Sequence, residues 1–413
     1  MRLFLFASIV LLIGCTQNVS NSNKFLSQSD TLIIKTVKHK GLGLFQNGAG
    51  LITFLDTSEW KKRLEPINRY PNYTIQYPDN GKNWKLNFFS YMFDSLRYYD
   101  EETGKELLQQ NLSLADKSLI MIKGSLNNKE VLILDENNNK DFRDDSIRTI
   151  KKWDEITDED LIKCKYKINR GIDVLVDSGY IKIGILNGML LESAAQHLTA
   201  NFSIDNNNYV IGVDGEYASS FGFYRPRMYL FSEQGVKRDT FLLRDIVKLG
   251  EYIKLGKHHY KFHKLYNGCG TIVLTKEDGF NKLIGTQVGM KFSRFKCLTI
   301  NGDTLTSSEL IKDKPLLIAN VSSCTPRYYN LFKNMNKYCK KSLNIIALDV
   351  GVTKDLNAIT IDVDEDFNKD VYNKYRKKYS TYDCYLINKS GRIIDKFDIY
   401  YWDKNLTQFK DIN

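Results

Sequence analysis

The residues best suited to chemistry lie in KPLLIANVSSCTPR, residues 314–327. Leu316, Leu317, Ile318 and Ala319 make a continuous apolar run of strand length, and Pro326 suits a first helical turn, where its missing N–H sacrifices no hydrogen bond. Cys324 is therefore predicted at the mouth of a helix. The unpaired N–H groups and dipole of such a helix favour a thiolate over a thiol, and Arg327 adds a full positive charge nearby. Each unit of pKa lowering is worth about 1.4 kcal/mol, so two modest effects bring a thiol from about 8.5 towards neutrality. Cys324 is the foremost nucleophile candidate, with Arg327 assisting its ionised form.

The other sulfurs are Cys15, Cys164, Cys269, Cys297, Cys339 and Cys384. The six that follow Cys15, Cys324 among them, are too widely spaced for a disulfide framework or a zinc site. Cys339 falls about four turns along the same helix, roughly 22 Å from Cys324, beyond disulfide reach. Cys384 is a candidate second thiol, and a buried core thiol is the preferred reading of it. Residues 135–145, DENNNKDFRDD, offer Asp135, Asn137, Asn139 and Asp141 as hard oxygen ligands at alternating positions, as a calcium loop does. Lys140 stands where an EF-hand loop needs glycine, and Ser146 where it needs a bidentate glutamate. Asn and Asp also dominate plain turns, so a turn is preferred and no metal is assigned. His259 and His263 would share a strand face about 13 Å apart, too far for one ion. No G-x-S-x-G elbow or phosphate-binding glycine loop is present, and no cofactor is assigned.

These residues need elements to hold them. Residues 1–15 have a charged start at Arg2, an apolar core over 3–13 and the ending LIGC, the layout of an export signal too short to span a bilayer. LLIGC resembles the bacterial lipobox, which implies cleavage before Cys15 and lipidation of its sulfur; an ordinary cysteine at the end of a signal is the alternative. Residues 16–30, TQNVSNSNKFLSQSD, are too polar to bury a core and read as a flexible tether. From 31 to about 280 the chain alternates short apolar runs, such as LIIKTV, SLIMIKG and YVIGVD, with Asn, Gly and Asp clusters. That spacing predicts sandwich-like or barrel-like β modules. Helical patches are expected at 101–110, 158–163 and 188–199. The formal charge of +10 is spread over the whole chain without a dense basic block. It favours anionic lipid or polymer surfaces and gives no reason to expect nucleic acid as a partner.

Over the last third, VGMKF, LTINGDTLTSSELIKDKPLLIANVSSC, SLNIIALDV and CYLINKSGRIIDKF follow one another as opening hairpin, central strand with its cysteine, second strand and closing hairpin. This order resembles a thioredoxin-like domain of the TlpA disulfide-reductase kind found on bacterial lipoproteins. The resemblance implies an α+β multidomain protein: signal peptide over 1–14, lipidated tether over 15–30, β-rich region over 31–285, and thioredoxin-like α/β domain over 286–413. It also implies a cell-envelope location and protein thiols or disulfides as partners. The chain departs from the family at two places. CTPR puts Arg327 where the second cysteine of Cys-x-x-Cys stands, and the cis-proline position falls on Tyr382. A peroxiredoxin pattern would need threonine or serine where Val321 stands. Two expectations follow: a thiol–disulfide oxidoreductase working through Cys324 alone, or a redoxin-fold binding scaffold without catalysis.

Overall fold

The computed structural model describes residues 30–43, 45, 49–52, 78, 82–89, 99–100, 105–106, 119–139, 141–170, 173–215, 221, 223, 226–238, 241–266, 270–322, 325–350, 358–376 and 383–410. The chain is β-rich with few helices. Up to about residue 280 the strands are antiparallel and joined by tight hairpins. Four of the turns place consecutive residues at positive φ: Asn127-Asn128, Asn187-Gly188, Asp205-Asn206 and Gln234-Gly235. Such two-residue loops match the right-handed twist of the strands they join, and Asn, Asp and Gly tolerate the left-handed conformation best.

These strands form two pairs of facing sheets. Thr31–Lys35, Thr271–Glu277, His258–Tyr266 and Tyr252–Leu255 make one sheet. It shares a core with the sheet of Val37–Lys40, Gln196–Ile204, Asn207–Gly215 and Pro226–Glu233, through Ile34, Leu198, Ile211, Phe262 and Leu274. The second pair joins Ile162–Arg170, Asp173–Leu186 and Met189–Ala194 to a sheet containing Leu119–Leu126 and Lys129–Leu134. Its core holds Leu119, Met121, Leu132, Cys164 and Ile181.

The helix expected at 188–199 is corrected: the segment belongs to two strands, Met189–Ala194 and Gln196–Ile204. Its apolar residues satisfy helical spacing as well as alternation, and the Asn187-Gly188 turn decides for the hairpin. At 158–163 only Asp158–Asp160 is helical, as one 3₁₀ turn, and the strand starting at Ile162 follows. Its start is held by the Asp160 carboxylate, which accepts from the Thr157 backbone N–H at 3.0 Å. Most of 101–110 lies outside the described residues, and Lys105–Glu106 within it is a strand.

The last third is built around one sheet of five strands: β1 (Leu316–Ser322), β2 (Asn344–Val350), β3 (Ile359–Asp362), β4 (Asp383–Ile387) and β5 (Ile393–Asp398). Their order across the sheet is β3-β2-β1-β4-β5; β2 runs parallel to β1 and to β3, while β4 is antiparallel to β1 and to β5. A single helix, α1 (Pro326–Cys339), follows β1. The central strand is buried on both faces, which is why its sequence is apolar at consecutive positions from Leu316 to Ala319 rather than alternating. Leu316 and Ile318 face a core shared with Phe295, Val371 and Tyr375. Leu317, Ala319 and Val321 face the opposite core, beneath α1, with Phe332 and Met335.

The last third also touches the β-rich part. Arg244 donates to the Asp395 carboxylate of β5 at 2.6 Å. Gln287 clamps the backbone of Tyr252, accepting from its N–H at 2.8 Å and donating to its carbonyl at 3.0 Å.

Candidate functional site

The site is the junction between β1 and α1. β1 ends at Ser322 and α1 begins at Pro326, in the first helical position where proline is pre-organised. Ser323 and Cys324, which join them, lie outside the described residues. The geometry closes tightly on either side. Thr325 donates its N–H to the Ser322 carbonyl at 3.0 Å, and Tyr329 donates to the Thr325 carbonyl at 3.1 Å to start the helix. The first turn of α1 contains no acidic residue. The junction also stands at the carboxyl end of β1, between a parallel neighbour and an antiparallel one, the place where open α/β sheets hold their ligands.

Arg327 sits in that first turn, exposed, with its guanidinium 4.8 Å from the centre of the Tyr400 ring. A second arginine reaches the same end of the sheet from the opposite side. Arg376 donates through one nitrogen to the carbonyl of Val321 at 2.9 Å and to that of Leu348 at 2.8 Å, bracing the carboxyl ends of β1 and β2. Asn320, fully buried on β1, donates to the carbonyls of Tyr375 at 3.0 Å and Asp383 at 2.7 Å. It thereby binds β1 to the start of β4 and to the turn that carries Arg376. Sequence reasoning missed Arg376, Asn320 and Tyr400. Arg376 acts across 55 residues of sequence at Val321, and nothing local in YNKYRKKY marks it.

Cys384 lies on β4 opposite Ala319 of β1 and has no exposed surface. It faces the core beneath α1, and burial, reinforced by the carboxylates of Asp398 and Asp383, pushes its thiol well above the ordinary cysteine range. Cys339, the last residue of α1, is buried in the same core. Cys164 and Cys297 are likewise buried, Cys164 without exposed surface and Cys297 with its thiol pushed up to about 11 by burial. Cys15, Cys269 and Tyr382 lie outside the described residues.

The oxygens of the 135–145 loop mostly serve its own backbone. Asp135 and Asn137 each accept from the Asn139 N–H at 2.9 Å, Asn139 from that of Asp141 at 2.8 Å, and Asp141 from that of Arg143 at 3.0 Å. Arg143 also forks onto the Asp141 carboxylate and holds it down at about 2. Asp145 goes the other way. Burial, with the nearby carboxylates of Asp135, Asp144 and Glu136, raises it to about 7 despite the Glu136 N–H it accepts. Among the described residues no cluster of three or more His, Cys, Asp or Glu is arranged to hold a metal ion.

Solved structures similar to part of this chain include thiol–disulfide oxidoreductase domains. One is the solution structure of a thiol:disulfide interchange protein from Bacteroides sp., 14% identical over 30% of this chain and 90% of its own, with a TM-score of 0.24. Another is the thioredoxin domain of a thiol-disulfide oxidoreductase from Bacteroides vulgatus, 13% identical over 30% of this chain and 97% of its own, with a TM-score of 0.24. A third, from Bacteroides fragilis, is 14% identical over 29% and 97%, with a TM-score of 0.24. No family model and no curated protein matches the chain.

Proposed function

We propose that the last third of this chain is a thioredoxin-type domain that exchanges thiols and disulfides through Cys324 alone, in a protein tethered to the cell envelope by a lipid on Cys15. The observation that carries the reading is the chain path: a strand buried on both faces runs into a 14-residue helix whose first turn holds Arg327 and no acid, with a cysteine in between. A thiolate there is favoured by the helix N–H groups, by Arg327, and by Arg376 behind the strand ends.

In the exchange, the Cys324 thiolate attacks one sulfur of a substrate disulfide. A Cys324–substrate S–S bond forms, the substrate's own S–S bond breaks, and its second sulfur leaves as a thiolate. A thiolate from outside the chain, on a protein or a small molecule, then attacks the substrate sulfur of the mixed disulfide and releases Cys324. Electrons balance without an added oxidant, because one disulfide is consumed and one is formed. The resolving thiol is external because Cys384, on the strand beside β1, is sealed in the core with its proton held tightly. The same seclusion favours the second reading, a binding scaffold that keeps the fold without turnover.

One titration separates the two. Alkylation of Cys324 followed against pH is expected to give an apparent pKa at least about one unit below the 8.5 of a free cysteine. Cys324→Ser is expected to abolish formation of a mixed disulfide with glutathione. An ordinary pKa with no exchange leaves the scaffold reading.

A further inference from the structure

The layer formed by α1 and residues 399–410 is predominantly cationic, with Asp403 as its one acidic residue. From Lys314 to the residue before Asp349 the sequence has no acidic residue but six cations: Lys314, Arg327, Lys333, Lys337, Lys340 and Lys341. Arg327, Asn330, Asn334 and Lys337 are exposed, and their spacing of three and four puts them in a single outward stripe of α1, with the exposed Lys340 and Lys341 just beyond its end. The cations of this layer pair with rings. Lys333 lies 4.5 Å from the Tyr329 ring centre, Lys337 5.5 Å from Tyr338, Lys404 5.9 Å from Tyr401, and Lys410 5.1 Å from Trp402. Tyr338 stacks on Trp402, which joins the stripe to the 399–410 segment. Tyr338, Tyr400 and Tyr401 remain 38, 45 and 47% exposed.

Across the sheet one segment reverses the sign. Residues 362–370 carry Asp362, Asp364, Glu365, Asp366 and Asp370 against the single cation Lys369. Val363 and Val371, beside them, pack into the core on the face away from α1. This acidic segment is local, and the same side also carries cations: Lys291, Arg294 and Lys296 are exposed beside Phe292, Phe295 and Cys297 of that core, and Lys374 pairs with Asp370 at 2.6 Å.

We propose that the α1 face lies against an anionic lipid bilayer. A plane of negative headgroups attracts the cationic layer, where exposed aromatic rings accompany the charge. Exposed tyrosines beside lysine and arginine suit the headgroup region, where an amphipathic ring and a cation are both accommodated. The docking needs neither exchange at Cys324 nor a lipid on Cys15.

The test is flotation of the full chain with vesicles of phosphatidylcholine alone, or of phosphatidylcholine and phosphatidylglycerol in equal parts. A preference of about tenfold for the mixture is expected, weakening as salt is added. Lys333→Glu/Lys337→Glu/Lys341→Glu should abolish the preference, and Lys340→Glu/Lys341→Glu, placed beyond the helix end, should reduce it should the triple variant fail to fold. Asp364→Lys/Glu365→Lys, which raises net charge on the other face, should leave binding unchanged. Preference retained by both lysine variants overturns the proposal, and so does tighter binding by the Asp364/Glu365 variant, which would make net charge the cause. Binding to polyglutamate without preference between the vesicles also overturns it, in favour of an acidic polypeptide partner.

Discussion

Arg376 braces the strand ends that lead into the segment carrying Cys324. Its guanidinium donates to two backbone carbonyls at the ends of β1 and β2, so it adds positive charge behind the junction while bracing the end of β1. Arg376→Gln keeps a donor and removes the charge. The expected outcome is a rise of about half a unit to one unit in the alkylation pKa of Cys324, with circular dichroism unchanged. Asp145 makes a separate prediction. Its pKa of about 7 in the folded protein lies above the ordinary carboxylate value, so the folded state keeps a proton that the unfolded chain has released. The stabilisation is complete below about pH 4 and is lost as pH rises through 7. Asp145→Asn keeps the oxygen that accepts from Glu136 N–H and removes the titration. It should therefore raise the melting temperature at pH 8 and leave it nearly unchanged at pH 4, as read by thermal melts at both values.

At the scale of elements, α1 is fastened by its buried face. Phe332 and Met335 have no exposed surface and fill the core beside Leu317, Ala319 and Cys384. Phe332→Ala should destabilise the last third by about 3–5 kcal/mol, with hydrogen exchange in β1 and α1 accelerating before that of the β-rich sheets. This part of the fold was legible in the sequence, because a doubly buried strand favours apolar residues at consecutive positions, as from Leu316 to Ala319, and a helix start favours proline. The closing hairpin was legible for a similar reason. Gly391 at its turn has φ +75, and a Cβ there would come within 3.1 Å of the Phe292 ring. The bracing by Arg376 and Asn320 was not legible. Their partners are carbonyls 28 to 63 residues away, and a carbonyl leaves no trace in side-chain identity. The 188–199 segment was misread because one pattern of apolar residues fits two periods.

Over the whole molecule, the β-rich sheets meet the last third through Arg244 and Asp395 and through the Gln287 clamp on Tyr252. Among the described residues no helix is long and apolar enough to cross a membrane. The proposed lipid anchor is on Cys15. Cys15→Ala should move the protein from the membrane pellet into the soluble fraction at high salt, where attraction between charges is screened. Attachment that survives both treatments would refute a lipid on that sulfur.

The first strand, Thr31–Lys35, runs antiparallel to Thr271–Glu277, and Asp30 accepts a hydrogen bond from Lys276 at 2.6 Å. The point where a tether would leave the folded body is thus stitched to the stretch of chain that leads into the last third, although some 240 residues separate them in sequence. Fifteen residues of chain extend at most about 50 Å. A pull on such a leash would therefore be felt at the start of the last third rather than relayed through the intervening sheets. That part of the chain would roam only a shallow zone above its attachment, however far the remaining strands project.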